Sequence, residues 1–388
     1  MNRREFLRRA GVASTGLALT DPSRLFAQSS TSGPPEGGPH ALTERWRTFE
    51  ITTRIEVLQP AGPTRVWLPT PLAAAPYQKT FGDNYRAEGG STTMVEKDEL
   101  DMLVAEWPDG VTPLLKIVSR VATKDHAADL TKPTVPPPAD MATFAPFLRP
   151  TRLLPTDGIV KSTANEITRG KGTDFDKARA IYEWIVENTF RDPKTPGCGL
   201  GDIRFMLETK NLSGKCADIN GLFVGLARAA GLPARDLYGL RVAKSDRGYN
   251  SLGLSSENAS KAQHCRAEVY LVGYGWVPVD PADVRKVALE EPPGNLPLEH
   301  EKVQAAREQL FGSWEMNWIA YNYANDVTLP GSKGRPIGYF MYPQGQTATG
   351  RLDSLDPDTP IAATAFRKYR SRLRTGWNTR RGYVGVAV

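Results

Sequence analysis

Ser213-Gly214-Lys215-Cys216-Ala217-Asp218-Ile219-Asn220 runs directly into Gly221-Leu222-Phe223-Val224-Gly225-Leu226. Ile219, Leu222, Phe223 and Leu226 recur at helical spacing, so a helix begins at Cys216 or beside it. Gly231 and Pro233, in Ala230-Gly231-Leu232-Pro233-Ala234-Arg235, stop that helix. A helix start offers unpaired N–H groups and the positive end of a dipole, which favour a thiolate and supply donors to an oxyanion. Gly214 permits close backbone approach just before the thiol. By itself, a cysteine in such a place is more often a buried structural residue. A phosphate loop is excluded, because Cys216 stands where Ser or Thr is needed and Thr209 where the first glycine is needed.

Downstream, Val269 to Val272 and Trp276 to Val279 read as strands, with Gly273-Tyr274-Gly275 as the hairpin turn between them. His264 opens one arm and Asp280 closes the other, so both fall at the open end. There the carboxylate can fix the imidazole tautomer while the other ring nitrogen faces the sulfur. Bland readings exist for each residue: a structural histidine, and Asp280-Pro281 as a turn initiator. The remaining histidines are His40 in a leader, His126 at the edge of a β-rich region and His300 in an acidic loop.

The segments Gly214-Lys215-Cys216-Ala217-Asp218, Gly231 to Arg235, His264-Cys265-Arg266-Ala267-Glu268-Val269-Tyr270 and Gly275 to Pro281 resemble the core of the transglutaminase-like superfamily. The resemblance spans about residues 155–290. It implies an α+β, papain-like catalytic domain with Cys216 as nucleophile, His264 as general base and acid, and Asp280 as the orienting residue. The implied activity is a thiol-dependent amide or peptide hydrolase working through a thioester, on a peptide or protein substrate. Three alternatives stand beside it: a protein-glutamine acyltransferase, a non-catalytic binding module, and an acetyl-transfer enzyme on a related fold. Arg266 departs from the family, which often has an aromatic there. It is expected either beside the cleft, facing a substrate carboxylate, or paired with an internal acid such as Glu268.

Outward from this core, Asn2-Arg3-Arg4-Glu5-Phe6-Leu7 and the weakly apolar stretch from Ala10 to Leu19 read as a twin-arginine export signal over 1–27. Periplasmic or otherwise exported localisation follows. A flexible Ser/Gly/Pro leader occupies 28–44. In 45–128, Phe49, Ile51, Thr53, Ile55 and Val57 alternate with polar neighbours, as do Val66 and Leu68, and Leu115, Ile117, Ser119 and Val121. That pattern predicts a β-sandwich-like N-terminal domain. A proline-rich linker at 129–155 is expected to run extended over the surface. The catalytic domain is placed at 156–290, with Thr173 capping a helix that carries Ala178, Ile181, Tyr182 and Ile185. A C-terminal extension at 291–360 contains an aromatic stretch from Phe311 to Tyr323, read as packing onto the core. A basic tail fills 361–388.

The net charge of the 388-residue chain is +6. The signal contributes +3 of it and the tail alone carries seven cations and no acid, so the folded body is slightly acidic and nucleic acid is not an expected partner. No later stretch is apolar enough to span a membrane. No metal-binding motif is present and the implied chemistry needs no cofactor. The three cysteines admit a Cys198–Cys265 disulfide that leaves Cys216 free, or unpaired thiols packed as small hydrophobes. The oligomeric state is open.

Overall fold

The computed structural model describes residues 45–352, except Gln59 and Asp98, together with the backbone of a strand at Arg370–Gly376. The expected export signal, leader and most of the basic tail lie outside the described residues.

Strand β1 (Arg47–Glu56) buries Phe49, Ile51, Thr53 and Ile55 on one face, following the alternation in its sequence. β2 (Thr64–Pro69), β3 (Gln78–Glu88), β4 (Ser91–Lys97), β5 (Leu100–Trp107) and β6 (Leu114–Thr123) complete the N-terminal sheet-rich region. Two sheets form here. In one, β1 pairs with β6 and β6 with β3. Arg370–Gly376 pairs antiparallel along the other edge of β1, so the basic tail contributes a strand. The second sheet takes β2, β5 and β4. Ile55, Leu115 and Ile117 of the first sheet meet Val66, Leu68, Leu103 and Trp107 of the second in one apolar cluster.

The second sheet continues past this region. β7 (Ala234–Arg241), β8 (Gln263–Leu271), β9 (Gly275–Val279) and β10 (Trp318–Asn322) extend it in the order β9-β8-β7-β10-β5-β2. A single residue pair, Asn322 with Leu100, carries the ladder from β10 to β5. The aromatic C-terminal stretch therefore supplies a core strand, with Trp314 and Trp318 almost wholly buried.

Helices α1 (Gly158–Ile167), α2 (Asp174–Asn188), α3 (Ile203–Thr209), α4 (Cys216–Ala229), α5 (Pro281–Glu290) and α6 (Glu301–Gln309) accompany these strands. Thr173 caps α2 by accepting from the Asp176 N–H. Every residue of α4 is buried, including Asp218, Asn220 and Arg228, because neighbouring elements enclose the mostly apolar helix. Gly231, at φ +87°, ends it in the left-handed conformation.

The proline-rich connection departs from the expected extended path. Met141–Phe147 forms a 3-10 turn, and the Phe144 and Phe147 rings lie 4.0 Å from Tyr270 and 4.9 Å from Trp276. Val135 also donates to the Gly273 carbonyl at the hairpin turn. Aromatic contact on the hairpin outweighs the extended preference of the prolines.

Gly239 sits in β7 between His264 on β8 and Ala320 on β10. A Cβ there would overlap the Ile319 carbonyl oxygen and the Trp318 indole, neither of which can turn away. Gly239→Ala should therefore destabilise the fold by about 3 kcal/mol in urea unfolding. A loss below about 0.5 kcal/mol would contradict this packing.

Candidate active site

Lys215, extended at φ −118° and ψ −158°, precedes the first helical residue of α4, Cys216. Asp218, in the first turn, accepts from Lys215 N–H at 2.9 Å and Gly201 N–H at 2.8 Å. Its carboxylate fills the space that a Cβ on Gly199 or Gly214 would take. Gly214 is needed because Asp218 ties the loop to the helix start. Burial pushes the Asp218 carboxyl up to about 6, against the pull of the Gly201 and Lys215 amides.

His264 lies in β8 and Asp280 caps α5, where Pro281 occupies the first helical position. His264 Nε2 is 2.7 Å from Asp280 Oδ2, and the two residues are 3% and 0% exposed. Asp280 Oδ1 accepts from Asn220 Nδ2 at 3.0 Å and Asp283 N at 3.1 Å. The Trp318 indole N–H holds the His264 carbonyl at 2.9 Å. Cys216 and His264 line one cleft of about 460 Å³, together with Cys198. With Nε2 engaged by Asp280, Nδ1 is the ring nitrogen left for the sulfur.

Three residues of this arrangement were not legible as site residues. Asn220 lies one turn beyond Cys216 on α4 and links Asp280, Ala282 N and the Cys265 carbonyl. Both Asp283 carboxylate oxygens accept from Arg241 Nη2, at 2.5 and 2.7 Å, and Oδ2 lies 3.4 Å from His264 Nε2. The sequence Asp280-Pro281-Ala282-Asp283 carried a signal for it: a cap, a first-turn proline and a first-turn acid announce a helix rather than a simple turn. Arg241 carried none.

Arg266 is neither in the cleft nor paired with Glu268. It is 2% exposed, donates to the Glu315 carbonyl at 2.9 Å, and lies 3.7 Å from Asp280 between the Trp314 and Trp318 rings. β8 is an inner strand, and the aromatic C-terminal stretch covers its face. Glu268 instead pairs with Arg235 and His126. His300 caps α6 through Nδ1.

Of the two readings of the cysteines, the structure has the unpaired one: all three are buried free thiols and Cys198 is not bonded to Cys265. Their sulfurs nevertheless lie within 4.8 Å of one another. Cys198 Sγ is turned onto the Gln263 carbonyl at 3.3 Å, and its own carbonyl accepts from Ala217 N at 2.9 Å. Hydrogen bonds from the Cys216 and Cys265 side chains hold the Cys198 thiol well below its ordinary value, while burial pushes Cys265 well above. Among the described residues, two groups present enough donor atoms for a metal: these thiols, and His264 with Asp280 and Asp283. The second group is already committed to Arg241 and Asn220.

Burial and the Arg241 charge pull the His264 imidazole down, but Asp283, Asp280 and Cys216 outweigh them and hold it above its ordinary value. Burial and the neighbouring Asp283 raise Asp280. Burial would raise Asp283 too, but Arg241 and His264 hold it well below the usual carboxylate range.

The family model described as Transglutaminase-like superfamily matches residues 161–281. A protein of Haemophilus influenzae, itself described as uncharacterised, is 35% identical over 329 residues, 80% of this chain and 88% of its own. Among solved structures, a candidate cysteine protease from Cytophaga hutchinsonii is 16% identical with a TM-score of 0.48, covering 86% of this chain and 98% of that one. The periplasmic domain of TgpA from Pseudomonas aeruginosa is 17% identical with a TM-score of 0.30, covering 70% and 94%.

Asp283 has a lowered folded value, so its contribution to stability is present above the ordinary ~3.9 and is lost as pH falls through the lower folded value. Arg241→Met leaves that carboxylate buried without its cation. The variant should lose about 3–5 kcal/mol at pH 7. The deficit should shrink as pH falls from 7 towards about 4, because without Arg241 burial raises the Asp283 carboxyl and the variant takes up that proton before the unsubstituted protein does. Urea titrations at both pH values test this, and a deficit independent of pH would contradict it.

Proposed function

Since the chain belongs to the transglutaminase-like superfamily, we propose that it is a thiol-dependent amide or peptide hydrolase acting through Cys216, His264 and Asp280. What supports this reading above all is the buried 2.7 Å contact of His264 Nε2 with Asp280, behind a cleft that His264 shares with Cys216.

In this mechanism Asp280 holds His264 in the tautomer that presents Nδ1 to the sulfur, and Asn220 and the Asp283 amide fix the carboxylate in turn. The Cys216 sulfur adds to the acyl carbon and its proton passes to His264. The imidazolium then gives that proton to the departing amine as the C–N bond breaks, leaving a thioester on Cys216. Water attacks the thioester carbon as His264 takes its proton, and His264 returns that proton to the sulfur as the C–S bond breaks, releasing the acid and the thiol.

The oxyanion rests on the Cys216 backbone N–H. The adjacent Ala217 and Lys215 N–H groups are engaged by the Cys198 carbonyl and Asp218. Water is the acceptor by availability, and an amine in its place would make the same thioester a protein-glutamine acyltransferase intermediate. Export by the twin-arginine route, carried by the Arg3-Arg4-x-Phe6-Leu7 order, places this chemistry in the periplasm.

Iodoacetamide labelling followed by mass spectrometry tests the reading. Cys216 should alkylate fastest of the three thiols and the fully buried Cys265 only on unfolding. His264→Ala should slow Cys216 labelling at neutral pH by about tenfold or more. Cys216→Ala should abolish hydrolysis of labelled casein, and Asp280→Asn should lower it by about a hundredfold or more. A Cys216 that reacts no faster than a free thiol, whatever stands at 264, would remove the enzyme reading.

A further inference from the structure

We propose that the cleft before Cys216 contains an anion subsite, so that the acyl donor carries a carboxylate or similar anionic group near the scissile bond. As a statement about a substrate, this rests on the hydrolase reading above. As a binding site, it rests on the wall of the cleft.

That wall holds six cationic side chains, Arg191, Lys194, Lys215, Arg241, Lys261 and Lys286, and no aspartate or glutamate. Three of these cations pair with carboxylates outside the lining. Glu290 is shared by Arg191 and Lys286, and Asp283 takes Arg241. Neighbouring Asp192 turns its carboxylate onto the Lys194 amide. Lys215 directly precedes the thiol at the start of α4, and Lys194 lies in the loop that leads to Cys198.

Such like charges repel one another. Burial and the Arg191 charge, with Arg241 adding to them, lower the Lys286 ammonium against the pull of Glu290. A bound anion would relieve that repulsion, and a concave wall of one sign concentrates counter-charged ligands. Residues 45–352 are close to neutral, with 37 Lys and Arg against 36 Asp and Glu, so a wall of this composition is a local feature and not the chain's general charge.

The probe is a dansyl-labelled oligoglutamate peptide, titrated into full-length Cys216→Ala protein by fluorescence anisotropy, with oligoglutamine as control. Oligoglutamate should bind at least about tenfold more tightly than oligoglutamine, and its affinity should fall as salt rises from about 20 to 200 mM. Lys194→Gln/Lys261→Gln protein, checked for an unchanged circular dichroism spectrum, should lose most of that binding. The basic tail is intact in this variant, so binding that persists there would place the peptide elsewhere and overturn the proposal. Equal binding of the two peptides would overturn it as well.

A second arm compares alkylation of Cys216 in the unsubstituted protein by iodoacetate and by iodoacetamide. The subsite predicts a preference for iodoacetate over iodoacetamide that weakens with salt and in the double lysine variant. If Cys216 is inert to both reagents while oligoglutamate still binds through Lys194 and Lys261, the hydrolase reading falls and the anion site stands. If Cys216 reacts rapidly without preference and oligoglutamate binds no better than oligoglutamine, the hydrolase reading survives and the anion site falls.

Discussion

A buried set of ion pairs governs this fold. His264, Asp280, Asp283, Arg241 and Arg266 are all at most 5% exposed and lie in contact through His264–Asp280, His264–Asp283, Arg241–Asp283 and Arg266–Asp280. A single unpaired charge at that depth costs several kcal/mol, so each member requires the others. They come from β7, β8 and the start of α5, which must therefore converge at one place. Asn220 adds α4 to the same point, because its amide donates to Asp280 and accepts from Ala282. Once those groups meet, the start of α4 and its thiol have little freedom to lie elsewhere.

The rest of the molecule encloses this centre. Trp318 on β10 ties the His264 carbonyl, and Trp314 and Trp318 cover Arg266. Glu268, further along β8, is held down to about 2; burial opposes this, and Arg235 and His126 overcome it. His126 belongs to the end of the N-terminal sheet-rich region and Arg235 to β7, so this ion pair joins segments far apart in the chain. The ladder between the same regions is thin, at one β10–β5 residue pair. Side-chain contacts, among them Gln78 with the Ala320 backbone, reinforce what the backbone ladder does not.

Sequence periodicity made part of this legible. The 3.6-residue spacing of Ile219, Leu222, Phe223 and Leu226, with Gly231 and Pro233 behind it, marks α4, and the two apolar runs around Gly273 mark the hairpin. Alternation in β1 and β6 matches their buried faces. What periodicity does not encode is which strand is central. Arg266 shares a face with His264 in sequence, yet Trp314 and Trp318 cover it, and the cleft that His264 lines does not reach it. The proline-rich segment misled for a related reason: Phe144 and Phe147 have partners only after the hairpin is folded. Arg241 has no local signal, because its partner Asp283 lies 42 residues away.

The same arginines connect the interior to the cleft. Arg241 neutralises Asp283 inside while its side chain forms part of the cleft wall. Arg191 and Lys286, also in the wall, share Glu290. Asp283 is thereby held inside with its cation, whereas Glu290 stays partly exposed beside Arg191 and Lys286. The cleft acquires the Arg241 charge as a by-product of stabilising Asp283 beneath it. Its sign cannot be reversed cheaply, because replacing Arg241 by an acid would bury a second carboxylate against Asp283. The charge of the cleft is thus fixed by the folding of the site rather than chosen separately at its surface.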